Sequence, residues 1–117
     1  MRLVFLGNEF LEEDSLAKKI GEILKNDFEV INVRDSFELM SLLNESGVDE
    51  IILIDVVENL NEVKKISVDE LRNDSILSAH DFDAGFVLKL VGKNFKIIGI
   101  PQKGNVEEIK RSILKLL

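Results

Sequence analysis

The sequence predicts an α/β fold: a three-layer, doubly wound sandwich of about five mostly parallel strands with helices on both faces. Three observations carry this. Ile51-Ile52-Leu53-Ile54-Asp55 is a run of branched apolar residues closing on a carboxylate, the pattern of a strand covered on both faces. Apolar runs alternate with amphipathic stretches along the first half of the chain, and strand, helix, strand, helix, strand implies right-handed crossovers and a parallel sheet. Asp35 with Glu38, and Asn105 with Glu108, place capping patterns where two of those stretches begin.

Arg2–Leu6 reads as the first strand, stopped by the turn pair Gly7-Asn8. Residues 9–14 form an acidic loop, Glu9-Phe10-Leu11-Glu12-Glu13-Asp14. A helix follows from about Ser15 to Lys25, with Leu16, Ile20, Ile23 and Leu24 on one face and Asn26 as its stop. Phe28–Val33 is the second strand. The helix capped by Asp35 turns Leu39, Met40 and Leu43 inward and ends at Gly47. After the central strand, 51–55, the chain from Glu58 to Lys65 is polar and loop-like. Ile66, Val68 and Leu71 then alternate with polar residues, the spacing of a half-exposed edge strand. A third helix is expected from about Asp83 to Val91, with Phe86, Val87, Leu90 and Val91 inward. Lys96–Ile100 is a last strand stopped by Pro101. The final helix carries Val106, Ile109, Ile113 and Leu116 toward the core.

The chain has 117 residues and reads as a single domain, 1–117, large enough to bury about two-thirds of its unfolded surface. Its net charge of −7 leaves no basic patch to neutralise phosphates, which argues against nucleic acid as a partner. The absence of Cys excludes thiol nucleophiles, disulfides and thiolate metal sites. Any imidazole chemistry must use His80, the single histidine. No run approaches the roughly 20 apolar residues that span a bilayer, and the first residues read as a strand rather than a signal segment. No membrane partner and a cytoplasmic location are therefore expected.

Three groups can meet at one sheet edge: the acids after the first strand, Asp55 after the central strand, and His80 before the third helix. Strands one and three of such folds lie side by side, so Asp14 or Glu13 can approach Asp55, which is expected to break the surface at its strand's carboxyl end. Two carboxylates held together without a cation raise one pKa and cost stability. A divalent metal removes that penalty, and two carboxylates with one imidazole suit nickel, zinc, cobalt or iron with positions left open. Each piece also has a plain structural explanation. Acids beside a helix N-terminus are stabilised by its dipole, by roughly 0.3–1 kcal/mol each. An Asp at a strand end often caps a turn, and a lone His is often a surface or capping residue.

The residues taken together resemble the endopeptidases that mature nickel–iron hydrogenases. That family shows a first strand ending in Gly-Asn, four residues, then an acidic pair, matched by Gly7-Asn8, Glu9-Phe10-Leu11-Glu12 and Glu13-Asp14. Its apolar strand ending in Asp is matched by Ile51–Val56, and its Ser-x-His helix entry by Ser78-Ala79-His80, with Asp81 following. Its stretch on the last strand is matched by Ile98-Gly99-Ile100-Pro101-Gln102. The four matches come in order and span nearly the whole chain.

The resemblance implies a phosphorylase/hydrolase-like fold and a nickel-dependent processing endopeptidase. It places the catalytic and metal-ligating groups on Asp14, Asp55 and His80. The implied partner is a hydrogenase large-subunit precursor that brings its own nickel and loses a short C-terminal extension. Zinc or another divalent metal is expected to substitute in vitro. A water activated by the metal or by a carboxylate would attack the scissile carbonyl; which group is the base stays open. The chain departs from the family where Ser15-Leu16-Ala17 replaces a glycine-containing stretch, and where Arg34-Asp35-Ser36-Phe37 replaces an Asp-Gly-Gly-Thr turn. It is also shorter around residues 56–75 and at the C-terminus. The Arg34–Phe37 loop is a candidate for substrate recognition, so its change bears on the substrate rather than the fold.

Two alternatives come from other classes. A phosphoacceptor receiver would use Asp55, with Ser78 and Lys103 as its hydroxyl and lysine, but Gly7-Asn8 stands where a receiver needs acids and Pro101 precedes Lys103. A non-catalytic interaction module would use the acidic face.

Overall fold

The computed structural model describes residues 1–7, 12–72 and 84–117, with the backbone alone at 71 and 72. Within them lie β1 (Arg2–Leu6), α1 (Leu16–Leu24), β2 (Glu29–Val33), α2 (Ser36–Glu45) and β3 (Ile51–Val57). The second half holds β4 (Lys64–Ile66), α3 (Val68–Arg72), α4 (Ala84–Val91), β5 (Lys96–Pro101) and α5 (Val106–Leu116). The five strands form one sheet in the order β2-β1-β3-β5-β4. All neighbours are parallel except β4, which runs antiparallel along β5. The expected α/β sandwich is what the chain builds.

Strand alternation divides the core. On one face Leu3, Phe5, Ile52, Ile54, Val56, Ile98 and Ile100 pack under α1 and α5. On the other, Val4, Leu6, Ile51, Leu53, Val57 and Ile97 pack under α2 and α4. Each fully buried Leu or Ile contributes about 1.5–3 kcal/mol through removal from water, and β3, buried along its whole length, sits at the centre of both layers.

The helix starts follow local chemistry. The Ser15 hydroxyl accepts from the Lys18 N–H at 3.1 Å, Asp35 Oδ1 from the Glu38 N–H at 2.9 Å, and Asn105 Oδ1 from the Glu108 N–H at 3.0 Å. Each satisfies a donor that a first helical turn leaves open. At the other end of α2, Lys93 Nζ donates to the carbonyls of Leu43 and Ser46 at 3.1 and 3.0 Å.

Three expectations are corrected. Asp55 does not end its strand or reach the surface: β3 continues through Val56 and Val57, paired with Ile100 and Pro101, and Asp55 is 0% exposed. Val68 and Leu71 belong to a helix, not to an edge strand. Ser67 and Glu70 form a reciprocal capping box, with the Ser67 N–H donating to Glu70 Oε1 at 3.0 Å and the Glu70 N–H to Ser67 Oγ at 3.1 Å. Phe86 and Leu90 face outward, 58% and 62% exposed, because α4 turns its small Ala84 and Gly85 with Val87 and Leu88 to the sheet. Among the described residues no helix is long and apolar enough to cross a membrane.

Candidate functional site

Asp55 is the fifth residue of β3. Its neighbours Ile54 and Val56 point to the α1/α5 face, so its side chain shares the α2/α4 face with Leu53 and Val57. Directly across the ladder stands Gly99 of β5, and beyond it Lys64 of β4. A side chain at Gly99 would collide with Ile66, which leans over that position, and would lie 3.3 Å from Val57 Cγ2. Apolar atoms therefore close the space beside the carboxylate, and Asp55 Oδ1 is shut off from solvent. Asp55 is thus the one polar side chain in a strand otherwise made of buried apolar residues.

Asp14 is placed differently. It is exposed, in the loop that leads to the Ser15 cap of α1. With Glu12, Glu13, Ser15 and Leu16 it forms one wall of a depression of about 450 Å³, and Gln102 and Lys103 form the other. The depression thus joins the connection after β1 to the connection after β5, and these two strands flank β3 in the sheet. This is the carboxyl edge of the parallel strands, where open α/β sheets bind ligands. His80, with Ser78, Ala79, Asp81 and also Asn8, lies outside the described residues. Among the described residues no group of three His, Cys, Asp or Glu could hold a metal ion. Two carboxylates supply oxygen donors that nickel, zinc or iron accept. One is buried on the α2/α4 face, and the other is exposed beside the start of α1.

Two features escape sequence reasoning. Asn32, in an apolar strand, donates Nδ2 to the carbonyls of Phe5 and Gly7 at 3.1 and 2.8 Å. It pins the end of β1 just where Gly7 takes φ 86°, a conformation that favours glycine. Its Oδ1 is buried and has no hydrogen-bond partner among the described residues. A polar amide in the apolar stretch Glu29–Val33 is the one signal that could have marked it. Gln102 and Lys103 face Asp14 across the depression, which follows from β5 lying beside β3, a nonlocal pairing. The receiver alternative loses its support: the sheet runs 2-1-3-5-4 with an antiparallel edge, not the 2-1-3-4-5 order of a receiver.

No family model matches the chain, and no curated protein matches it. Among solved structures it is similar to the NiFe hydrogenase maturation protease HybD from Thermococcus kodakarensis. The two are 24% identical, with a TM-score of 0.59, and the match covers 99% of each chain. The likeness is one of fold. A second structure, an uncharacterized protein from Wolinella succinogenes, is 16% identical with a TM-score of 0.42, covering 92% of this chain and 76% of that one.

Proposed function

We propose that the chain is a hydrolase, a metal-assisted processing endopeptidase of the hydrogenase-maturation kind. Its substrate is the nickel-loaded precursor of a nickel–iron hydrogenase large subunit, from which it removes a C-terminal extension in the cytoplasm. The fold shared end to end with a maturation protease supports this, as do the four ordered sequence matches, three of which carry Asp14, Asp55 and His80.

The observation that carries it is Asp55, a fully buried carboxylate in a strand whose other residues are all apolar and buried. It lies two residues before the end of the central strand, at the carboxyl edge where open α/β sheets bind ligands. Asp14 offers a second carboxylate in the open depression, and His80 the imidazole. The nickel is cargo of the substrate, and when bound it supplies Lewis acidity and an acidified water. Asp14, Asp55 and His80 are the groups that would hold it; Asp14 lines the open depression, whereas Asp55, on the other face of the sheet, must be uncovered for the nickel to reach it. The apolar wall of Ile66 and Val57 keeps bulk water from the Asp55 side and strengthens its electrostatic interactions.

Cleavage by single variants tests the assignment. Asp14→Asn, Asp55→Asn and His80→Ala should each lower the rate by about 100-fold or more, while circular dichroism and the urea midpoint stay near those of the parent. Full activity in all three would sink the proposal, and full activity in one would remove that residue from the site.

A further inference from the structure

We propose that the open edge of β2, with the groove beside it, docks an extended polypeptide segment of apolar residues flanked by a basic one, which adds to the sheet as a further strand. The two edges of this sheet are built differently. β4 is three residues long and carries Lys64 and Lys65, the short, charged design that keeps sheet edges from pairing. β2 has five residues, Glu29-Val30-Ile31-Asn32-Val33, with no Lys, no Pro and only one charge. Among the described residues no strand lies beyond it.

Its orientation follows from the ladder. The Val33 carbonyl accepts from the Gly7 N–H at 2.7 Å, so the backbone groups of Val33 face β1. Those of Val30 and Asn32, out of phase with it, therefore point away from the sheet. A second strand would find donors and acceptors there at the spacing it needs.

Beside that edge, between β2 and α2, lies a groove of about 500 Å³ lined by Ile31, Val33, Phe37 and Leu42, with the carboxylates of Glu38 and Glu45. Phe37, in the first turn of α2, is 87% exposed, an anchor for alternate side chains of an added strand. It is also the last residue of the loop in which the sequence departs from the hydrogenase-protease pattern.

Charge selects the occupant. Glu38 is paired with Arg34, whereas Glu45 stands at the groove in a chain of net charge −7. A second copy would bring the same carboxylates face to face, which opposes self-pairing, while a Lys or Arg beside the apolar residues is attracted. The proposal stands apart from the catalytic one, since it needs neither metal nor cleavage.

The test uses the full chain and a synthetic peptide of alternating Val and Thr with Lys at both ends, followed by NMR and amide hydrogen exchange. Saturable binding is expected, with exchange slowed at the Val30 and Asn32 amides. Phe37→Ser and Glu45→Lys, both at exposed positions, should each weaken binding by about tenfold. A peptide with Glu in place of Lys should bind more weakly than the parent peptide. Binding that leaves Val30 and Asn32 exchange unchanged, no saturable binding, or equal binding by both variants would overturn the proposal. So would concentration-dependent self-association through this edge, which would assign it to a second copy.

Discussion

Asp55 on β3 and Gly99 on β5 stand opposite each other in register, and the missing side chain at Gly99 lets Ile66 lie across the sheet beside the carboxylate. The wall beside the proposed catalytic group is thus built from the edge strand β4, reaching over β5. Gly99→Ala should destabilise the fold by about 1–3 kcal/mol, the usual cost of overpacking, seen as a lower urea midpoint. Ile66→Val, which removes the colliding Cδ1, should recover part of that loss in the double variant, whereas strict additivity would show that the two residues do not meet. The chain has no Trp and no Tyr, so far-UV circular dichroism is the probe.

The end of α2 supplies a second expectation. Lys93 Nζ reaches the carbonyls of Leu43, Asn44 and Ser46 at 3.1, 3.4 and 3.0 Å, replacing partners that the last helical turn lacks. Lys93→Met keeps the stem but leaves those acceptors unserved. A loss of about 1–2 kcal/mol is expected, and an unchanged midpoint would show that water serves them equally well.

The fold was legible wherever it rested on short-range chemistry, and less so elsewhere. Asp35 and Glu38, or Asn105 and Glu108, mark helix starts because a cap and its donor are only three residues apart. Ile66 does lie in an edge strand, but that strand takes in Lys64 and Lys65 before it rather than Val68 after it, because Ser67 and Glu70 carry the same capping spacing and start α3. In α4, apolar residues occur all around the helix, so its phase could not be read. Small Ala84 and Gly85 took the sheet side and left Phe86 and Leu90 outside. The carboxylate of Asp55 looked like a strand end, although Val56 and Val57 extend the same run inward. The meeting of Asp14 with Gln102 and Lys103 depends on β5 entering the sheet beside β3, which no local pattern encodes.

Acid should loosen α3 before it loosens the sheet. The Ser67 N–H bonded to the Glu70 carboxylate, with the nearby charge of Lys64, holds that pKa below its ordinary value of 4.5. A lowered folded-state pKa means stabilisation that is complete above the unfolded value and lost as pH falls through the folded one. Amide exchange within α3 should therefore rise relative to that of β3 as pH falls below about 4.5, and Glu70→Gln should flatten the dependence. A profile identical in parent and variant would separate the capping box from the pH response.

The most direct measurement is the intact mass of a hydrogenase large-subunit precursor after incubation with the purified chain, with and without nickel loaded in the precursor. Release of a C-terminal peptide is expected from the nickel-loaded precursor, with none from the nickel-free one and none with Asp55→Asn. Cleavage that ignores the nickel, or that persists in Asp55→Asn, would contradict the proposed function.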